Sequence, residues 1–407
     1  MAGPAASNGL VFLLLFGTFL SPYLGGPVTA YVLIGLSVLL VAWSFVHPAN
    51  APRDPGAWMF LFAWGLIAIA FALTNQPGRS DFLQAVNFVM FAFYPLLVAA
   101  LQRFARSRNL LQVAVLALIG SLLAVGVASF QVVVQHYSRA EGYASNPIAS
   151  ATIALFLGFF ALAGLFVVKG SWRYAFLLGP IAGIATVLLA QSRGPLIAVP
   201  ALVIIAVVLV PVRRAWAYGT VAVLLVAGGA VVAMTPSVYR RVEVLPAIAG
   251  DVLLGRPVPA QLDYSGNVRY RILQGSLAAF KESPWLGYGW YMKVPVVEKY
   301  ITEPVAFQDP RVAHLHSDIL DLGVSGGIVG LIAYMLALLA PIVSAVTSPR
   351  DSQFGGRLFL ALTLSVGFLC CGAVNLLFGF EFMTTMYVVL AAIFIGYCRD
   401  APAVVVQ

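Results

Sequence analysis

Twelve apolar runs dominate this chain, near residues 9–25, 28–46, 57–75, 83–101, 110–133, 147–168, 174–191, 195–211, 216–235, 317–345, 356–378 and 380–397. All but the tenth, which is longer and would have to tilt, are close to the roughly 20 residues that a helix needs to cross the hydrocarbon core of a bilayer. Within that core every backbone N–H and C=O must be satisfied inside the segment itself, which selects helices. Only 9% of the 407 residues are charged and 61% are hydrophobic, whereas a soluble domain carries about 25% charge. The expected fold class is therefore an all-α polytopic membrane protein with about twelve transmembrane helices. No Lys or Arg precedes the first run, and a second follows after the short Ser21–Pro27 turn. The first run is thus expected to stay as a helix and not to be cleaved as a signal peptide.

Short loops carry the orientation signal. With the N-terminus inside, eleven cations fall on inner segments: Arg53, Arg103, Arg106, Arg108, Lys169, Arg173, Arg213, Arg214, Arg350, Arg357 and Arg399. Only Arg79, Arg139 and Arg193 fall on short outer loops. Both termini are expected in the cytoplasm. The net charge of +8 is then topological and does not point to nucleic acid. Cys370, Cys371 and Cys398 lie within or at the end of spans, so no disulfide framework is expected.

The chain divides into residues 1–235 with nine spans, a large outer loop 236–316, and residues 317–407 with three more spans and the C-terminus. No internal repeat of the kind seen in many transporters is evident. A loop this long is more than a connector. Within it, Arg269 to Glu282 reads as a short amphipathic helix, with Ile272, Leu273, Leu277 and Phe280 at helical spacing. Ser283-Pro284 ends it, and Leu286-Gly287-Tyr288-Gly289 reads as a turn.

Polar groups at the edges of spans are costly and are functional candidates. Three such places fall on the outer side. Arg193, in Gln191-Ser192-Arg193-Gly194-Pro195, either snorkels to the interface or meets an anion, for which its planar fork suits phosphate. Arg269 and Arg271 lie two apart on a helix and point in different directions, so one of them is expected to face the bundle. His314 and His316 precede Asp318 where the loop re-enters the tenth span. A neutral imidazole at a helix start suits a general base, an interfacial histidine is the plainer alternative, and a metal pair is the third. Asp318 and Asp321 share a helix face and could orient His316 or hold a cation, or simply complement the helix dipole. Gly323/Gly327 and Gly326/Gly330 are four apart, a spacing that lets a neighbouring helix approach. Arg139, ahead of Asn146-Pro147, is a weaker candidate for an anion site. Together these are cations for a phosphate and a candidate base at the outer edge of a lipid-facing bundle, which suggests group transfer from a lipid-linked phosphate.

At these residues the chain resembles the O-antigen ligase family of the O-antigen ligase and polymerase superfamily. His316-Ser317, nine residues, then Gly327-Ile328-Val329-Gly330 fits the family pattern H-[NSQ]-x9-G-x-x-G. Arg193 in Ser192-Arg193-Gly194-Pro195 matches the arginine between two spans. Arg269, with Pro284-x-x-Gly287-x-Gly289 beyond it, matches the arginine of the large loop, and Arg139 with Asn146-Pro147 fits a looser pattern. The resemblance implies a GT-C-type glycosyltransferase of the Gram-negative inner membrane, working on the periplasmic face. The implied donor is O-antigen on undecaprenyl diphosphate, and the implied acceptor is lipid A–core. Arg193 and Arg269 would hold the diphosphate, helped by Arg139, with His314 and Asp318 as further substrate-contacting residues. His316 would take the acceptor proton in a single inverting displacement, with no metal and no cofactor. An O-antigen polymerase or a protein O-oligosaccharyltransferase would share these motifs. The latter is usually longer at its C-terminus than a chain ending at Gln407. A transporter of lipid-linked glycan is a reading from another class, disfavoured by the missing repeats and the elaborate outer loop.

Overall fold

The computed structural model describes residues 4–46, 54–74, 81–144, 146–211, 264–301 and 314–400. The ninth run, 216–235, and the loop stretches 236–263 and 302–313 lie outside these residues. The principal helices are α1 (Pro4–Leu20), α2 (Pro27–Val46), α3 (Pro55–Leu73), α4 (Met90–Gln102), α5 (Asn109–Val133), α6 (Pro147–Ala161), α7 (Leu178–Leu189), α8 (Ala198–Leu209), α9 (Tyr264–Glu282), α10 (Lys293–Glu298), α11 (Asp318–Thr347), α12 (Phe354–Gly372) and α13 (Glu381–Ala392). Among the described residues, eight helical segments are long and apolar enough to cross a membrane, and three shorter apolar helices accompany them. The chain is an all-helical, polytopic membrane protein.

Helix starts follow local chemistry. Pro55 and Pro147 each open a helix, where a missing N–H costs nothing. Asp54 caps α3 by accepting from Gly56 N at 3.0 Å. Asn146 caps α6 by accepting from Ile148 N at 2.9 Å and Ala149 N at 3.3 Å. α6 is the central element, buried at every position from Ala149 to Ala161. Glycine lets backbones meet there: a Cβ on Gly158 would stand 2.5 Å from the Gly179 carbonyl of α7.

α3 and α11 cross as closely, Gly56 lying against Ala340 and Ser344. Ser344 Oγ donates to the Asp54 carboxylate at 2.8 Å and accepts from Tyr94 Oη at 3.1 Å. Beyond this crossing, Arg357 is wholly buried. It is held by Asp351 at 3.1 Å and by the carbonyls of Cys398 and Pro349 at 2.8 and 2.6 Å. That end of the bundle also holds Gln353, which donates to the Arg106 carbonyl at 2.9 Å.

α11 departs from the single long span that hydropathy suggests. At Gly327 the backbone turns to φ 59°, ψ −149°, and the helix breaks into two arms. Residues eight apart on a straight helix would be about 12 Å apart along the axis, yet a Cβ on Gly330 would meet the Leu322 carbonyl. The break leaves backbone groups unpaired, and the Pro284–Gly289 segment takes them up. Tyr288 N and Gly289 N donate to Val324 O and Ser325 O, both at 2.9 Å, and Ile328 N donates to Pro284 O at 2.7 Å. The glycine run therefore does more than let helices approach: it admits a second backbone into the helix break.

Gly327 tolerates no side chain, because its φ is positive and a Cβ there would run into Trp285's carbonyl and stand 2.7 Å from Leu286 N. Gly323 has Leu331 no closer than 3.5 Å. Gly327→Ala should lower the thermal midpoint in detergent and open the Pro284–Gly289 segment to proteolysis, while Gly323→Ala should do neither. Equal effects from the two would refute this use of Gly327.

Residues 264–301 form a small core of their own with 315–324. Ile272 and Ala279 of α9 pack with Val296 and Val297 of α10, and with Leu315 and Val324. α9 is amphipathic as expected but begins five residues earlier, at Tyr264. Its apolar face is shifted: Tyr270, Ile272, Ser276 and Ala279 are buried, whereas Leu277 is exposed. The shift follows from Gly275, which lets Val297's carbonyl approach to 2.9 Å of where a Cβ would stand.

Candidate active site

His316 stands immediately before α11, in a turn with φ 56°. Non-glycine residues seldom adopt this left-handed conformation, which costs on the order of 1–3 kcal/mol and gathers at functional sites. Gln191, two residues before Arg193, shares it at φ 48°. His314 and His316 lie ring against ring, centroids 4.5 Å apart and inclined by 54°. His316 Nδ1 is buried and has no hydrogen-bond partner among the described residues.

Burial pushes the His316 imidazole down to about 4, helped by His314 and by the Arg269 charge, with Asp321 opposing. Burial also lowers His314, against the pull of Asp321. Both rings are therefore neutral at ordinary pH, and His316 is available to accept a proton. Arg269 is an exposed residue of α9, close enough for its charge to act on His316. Arg271 points elsewhere, donating to Asn267 Oδ1 one turn back at 2.6 Å. The expected division of the two arginines thus falls with Arg269 toward the histidines.

Beneath the histidine turn lies a buried ion pair that sequence reasoning missed in part. Lys293 Nζ is 2.7 Å from Asp321 Oδ1, with both side chains at most 1% exposed. The other oxygen of Asp321 accepts from Leu315 N, between the two histidines, at 3.0 Å. The Lys293 ammonium also sits 3.0 Å from the centre of the Trp290 ring, a cation–π contact. Trp290 packs against Phe71 and Phe88, and Gly379 leaves room for its edge. Asp81 accepts from Tyr291 N at 2.8 Å, tying the same loop to the segment before α4. A lone Lys heading the apolar stretch Val294–Val297 was the available signal; nothing in the sequence paired it with Asp321.

Asp318 differs from its expected place among substrate-contacting residues. It is wholly buried, and its Oδ1 accepts from Leu377 N at 2.6 Å and Phe378 N at 3.0 Å. It anchors the loop between α12 and α13. That loop also touches the second cluster, because Val374 lies 3.4 Å from where a Gly194 Cβ would stand. Arg193 is exposed at the start of a short helical turn, Arg193–Leu196. Arg139 Nη2 reaches Ser192 Oγ at 3.4 Å, a long hydrogen bond. Ser192 Oγ in turn donates to the Pro147 carbonyl at 3.1 Å, and Gln191 Nε2 to the Ser138 carbonyl at 2.7 Å. The structure thus brings Arg139 to Ser192 beside Arg193, and Arg269 toward His316 and its neighbour His314, with the 373–380 loop reaching Gly194 on one side and Asp318 on the other.

Residues 178–335 match the family model described as O-antigen ligase. No curated protein matches the chain. The matched stretch contains Arg193, Arg269, His314, His316, Asp318, Asp321 and the Gly327 break, and leaves Arg139 outside it. Over residues 178–335, and so over the candidate site, the chain is similar to the O-antigen ligase family.

Proposed function

We propose that this protein is an O-antigen ligase, moving O-antigen polysaccharide from undecaprenyl diphosphate to lipid A–core in lipopolysaccharide biosynthesis. It works in the Gram-negative inner membrane, with both termini in the cytoplasm and the site at the periplasmic face. The observation that carries the reading is a neutral, unbonded His316 beside the Arg269 charge. His316 removes the proton from the attacking sugar hydroxyl while the anomeric carbon–oxygen bond to the diphosphate breaks from the opposite face. One displacement inverts the anomeric centre. The leaving diphosphate carries the electron pair, and Arg193 and Arg269, with Arg139 alongside, stabilise the charge that develops on it. Fixed guanidinium groups supply that charge without a divalent metal.

The test is transfer by purified protein in EDTA, given undecaprenyl-diphosphate-linked O-antigen and lipid A–core. The expected product is a covalent glycolipid carrying the long glycan, formed equally well without added Mg²⁺. Longer glycan on the undecaprenyl carrier, with lipid A–core untouched, would instead show a polymerase. Activity lost in EDTA and restored by metal would overturn the arginine-based mechanism.

A further inference from the structure

His316 needs something to aim it. General bases are commonly oriented by a carboxylate on the second ring nitrogen, but His316 Nδ1 has no such partner among the described residues. Its ring contact is His314, itself part of the same three-residue turn. The aim therefore resides in the backbone of His314-Leu315-His316, which holds His316 in the strained left-handed conformation. That backbone is pinned from the helix side by the hydrogen bond from Leu315 N to Asp321. Asp321 is held in turn by Lys293, whose ammonium rests on Trp290, wedged against Phe71 and Phe88 of the membrane bundle.

We infer that the buried Lys293–Asp321 pair is the positioning device of the histidine turn, Asp321 fixing the Leu315 backbone and Lys293 fixing and neutralising Asp321. The inference rests on the reading of His316 as the base. Its physical logic has two parts. A buried ion pair roughly breaks even against well-packed apolar residues, so stability alone does not account for it; a directional anchor does. Charge is the second part. The groups acting on His316 are His314, Arg269 and Asp321, and an unpaired Asp321 carboxylate would favour the protonated ring. Lys293 faces that carboxylate at 2.7 Å and offsets part of its charge at the histidine turn, lowering His314. Neither residue touches substrate; both act through His316.

Two double variants separate anchoring from charge, because each removes both charges and leaves no lone ion buried. Lys293→Met with Asp321→Asn keeps a carbonyl oxygen for Leu315 N. Lys293→Met with Asp321→Ala removes it. In glycan transfer by the full-length protein in detergent, the Ala-bearing variant should have a kcat about 100-fold below the Asn-bearing one, with KM for donor and acceptor unchanged. Both should keep a cooperative thermal transition. Equal kcat values, a change confined to KM, or loss of folding in both variants would overturn the inference. His316→Ala is assayed beside them. If it is inactive while the Ala-bearing double variant is not, only the positioning role falls. If it is active, the reading of His316 as base falls first.

Discussion

Replacing His316 with Ala is expected to leave a protein that folds and binds donor but transfers glycan about 10²–10⁴-fold more slowly, the usual contribution of a general base. The side chain makes no hydrogen bond through Nδ1, so its removal leaves no partner unsatisfied, and Ala keeps the Cβ and with it the same left-handed turn. A structural histidine would behave in the opposite way, costing stability and sparing kcat. The pH profile gives a second check. Burial, His314 and Arg269 hold the ring at about 4, so the base form prevails throughout the neutral range. Protonation destroys the base, and activity must therefore fall as pH drops through that value. For the free protein, kcat/KM should stay level from about pH 8 to about pH 5 and decline only below. A decline centred near about 6.5, the ordinary imidazole value, would show that the ring is solvated in the working enzyme. Near-normal glycan transfer by His316→Ala at matched expression would remove His316 from the chemistry.

The helical bundle was legible because the bilayer leaves so few solutions: a long apolar run must be a helix, whatever it packs against. The break in α11 was not. Gly323, Gly326, Gly327 and Gly330 read equally well as a packing stripe, and only the positive φ of Gly327 distinguishes the two uses. The partner in that break is the Pro284–Gly289 backbone, roughly forty residues earlier. Its hydrogen bonds run through N–H and C=O groups, which leave no side-chain pattern to read.

The same distinction runs through the site. Arg193, Arg269 and His316 were legible as ionisable groups stranded beside apolar sequence, where the energetic cost asks for a reason. Asp318 was legible as a group but not in its role, since its partners are the backbone amides of Leu377 and Phe378. Lys293 was legible only as a lone lysine heading an apolar stretch, and its burial and its partner were not. It looks like any solvated lysine of an outer loop until the fold sets it on Trp290 and against Asp321.

Arg193→Lys and Arg269→Lys should each lower kcat on the order of 10²-fold although the positive charge is kept, comparable to losing one transition-state donor. A guanidinium offers two parallel N–H donors to a phosphate, whereas an ammonium is a compact point charge on a flexible stem. Both arginines are exposed, Arg193 at the start of its turn and Arg269 in the second turn of α9, where a donor's diphosphate could reach them, and neither substitution disturbs a buried core. Arg269 differs from Arg193 in one respect: its charge also depresses His316, and Lys would preserve that effect. Arg269→Lys should therefore leave the pH profile in place while lowering its plateau. Arg271→Lys is the internal control, since Arg271 turns back to Asn267 within α9, and its activity should stay close to the parent's. The measurement is steady-state transfer with each variant quantified by its folded fraction in detergent. A lysine variant as fast as the parent would reduce that arginine to an interfacial cation. A fully active Arg193→Lys beside a crippled Arg269→Lys would confine the diphosphate to the histidine side of the 373–380 loop, with Arg139 and Arg193 serving only to brace the 138–142 and 191–194 turns against each other.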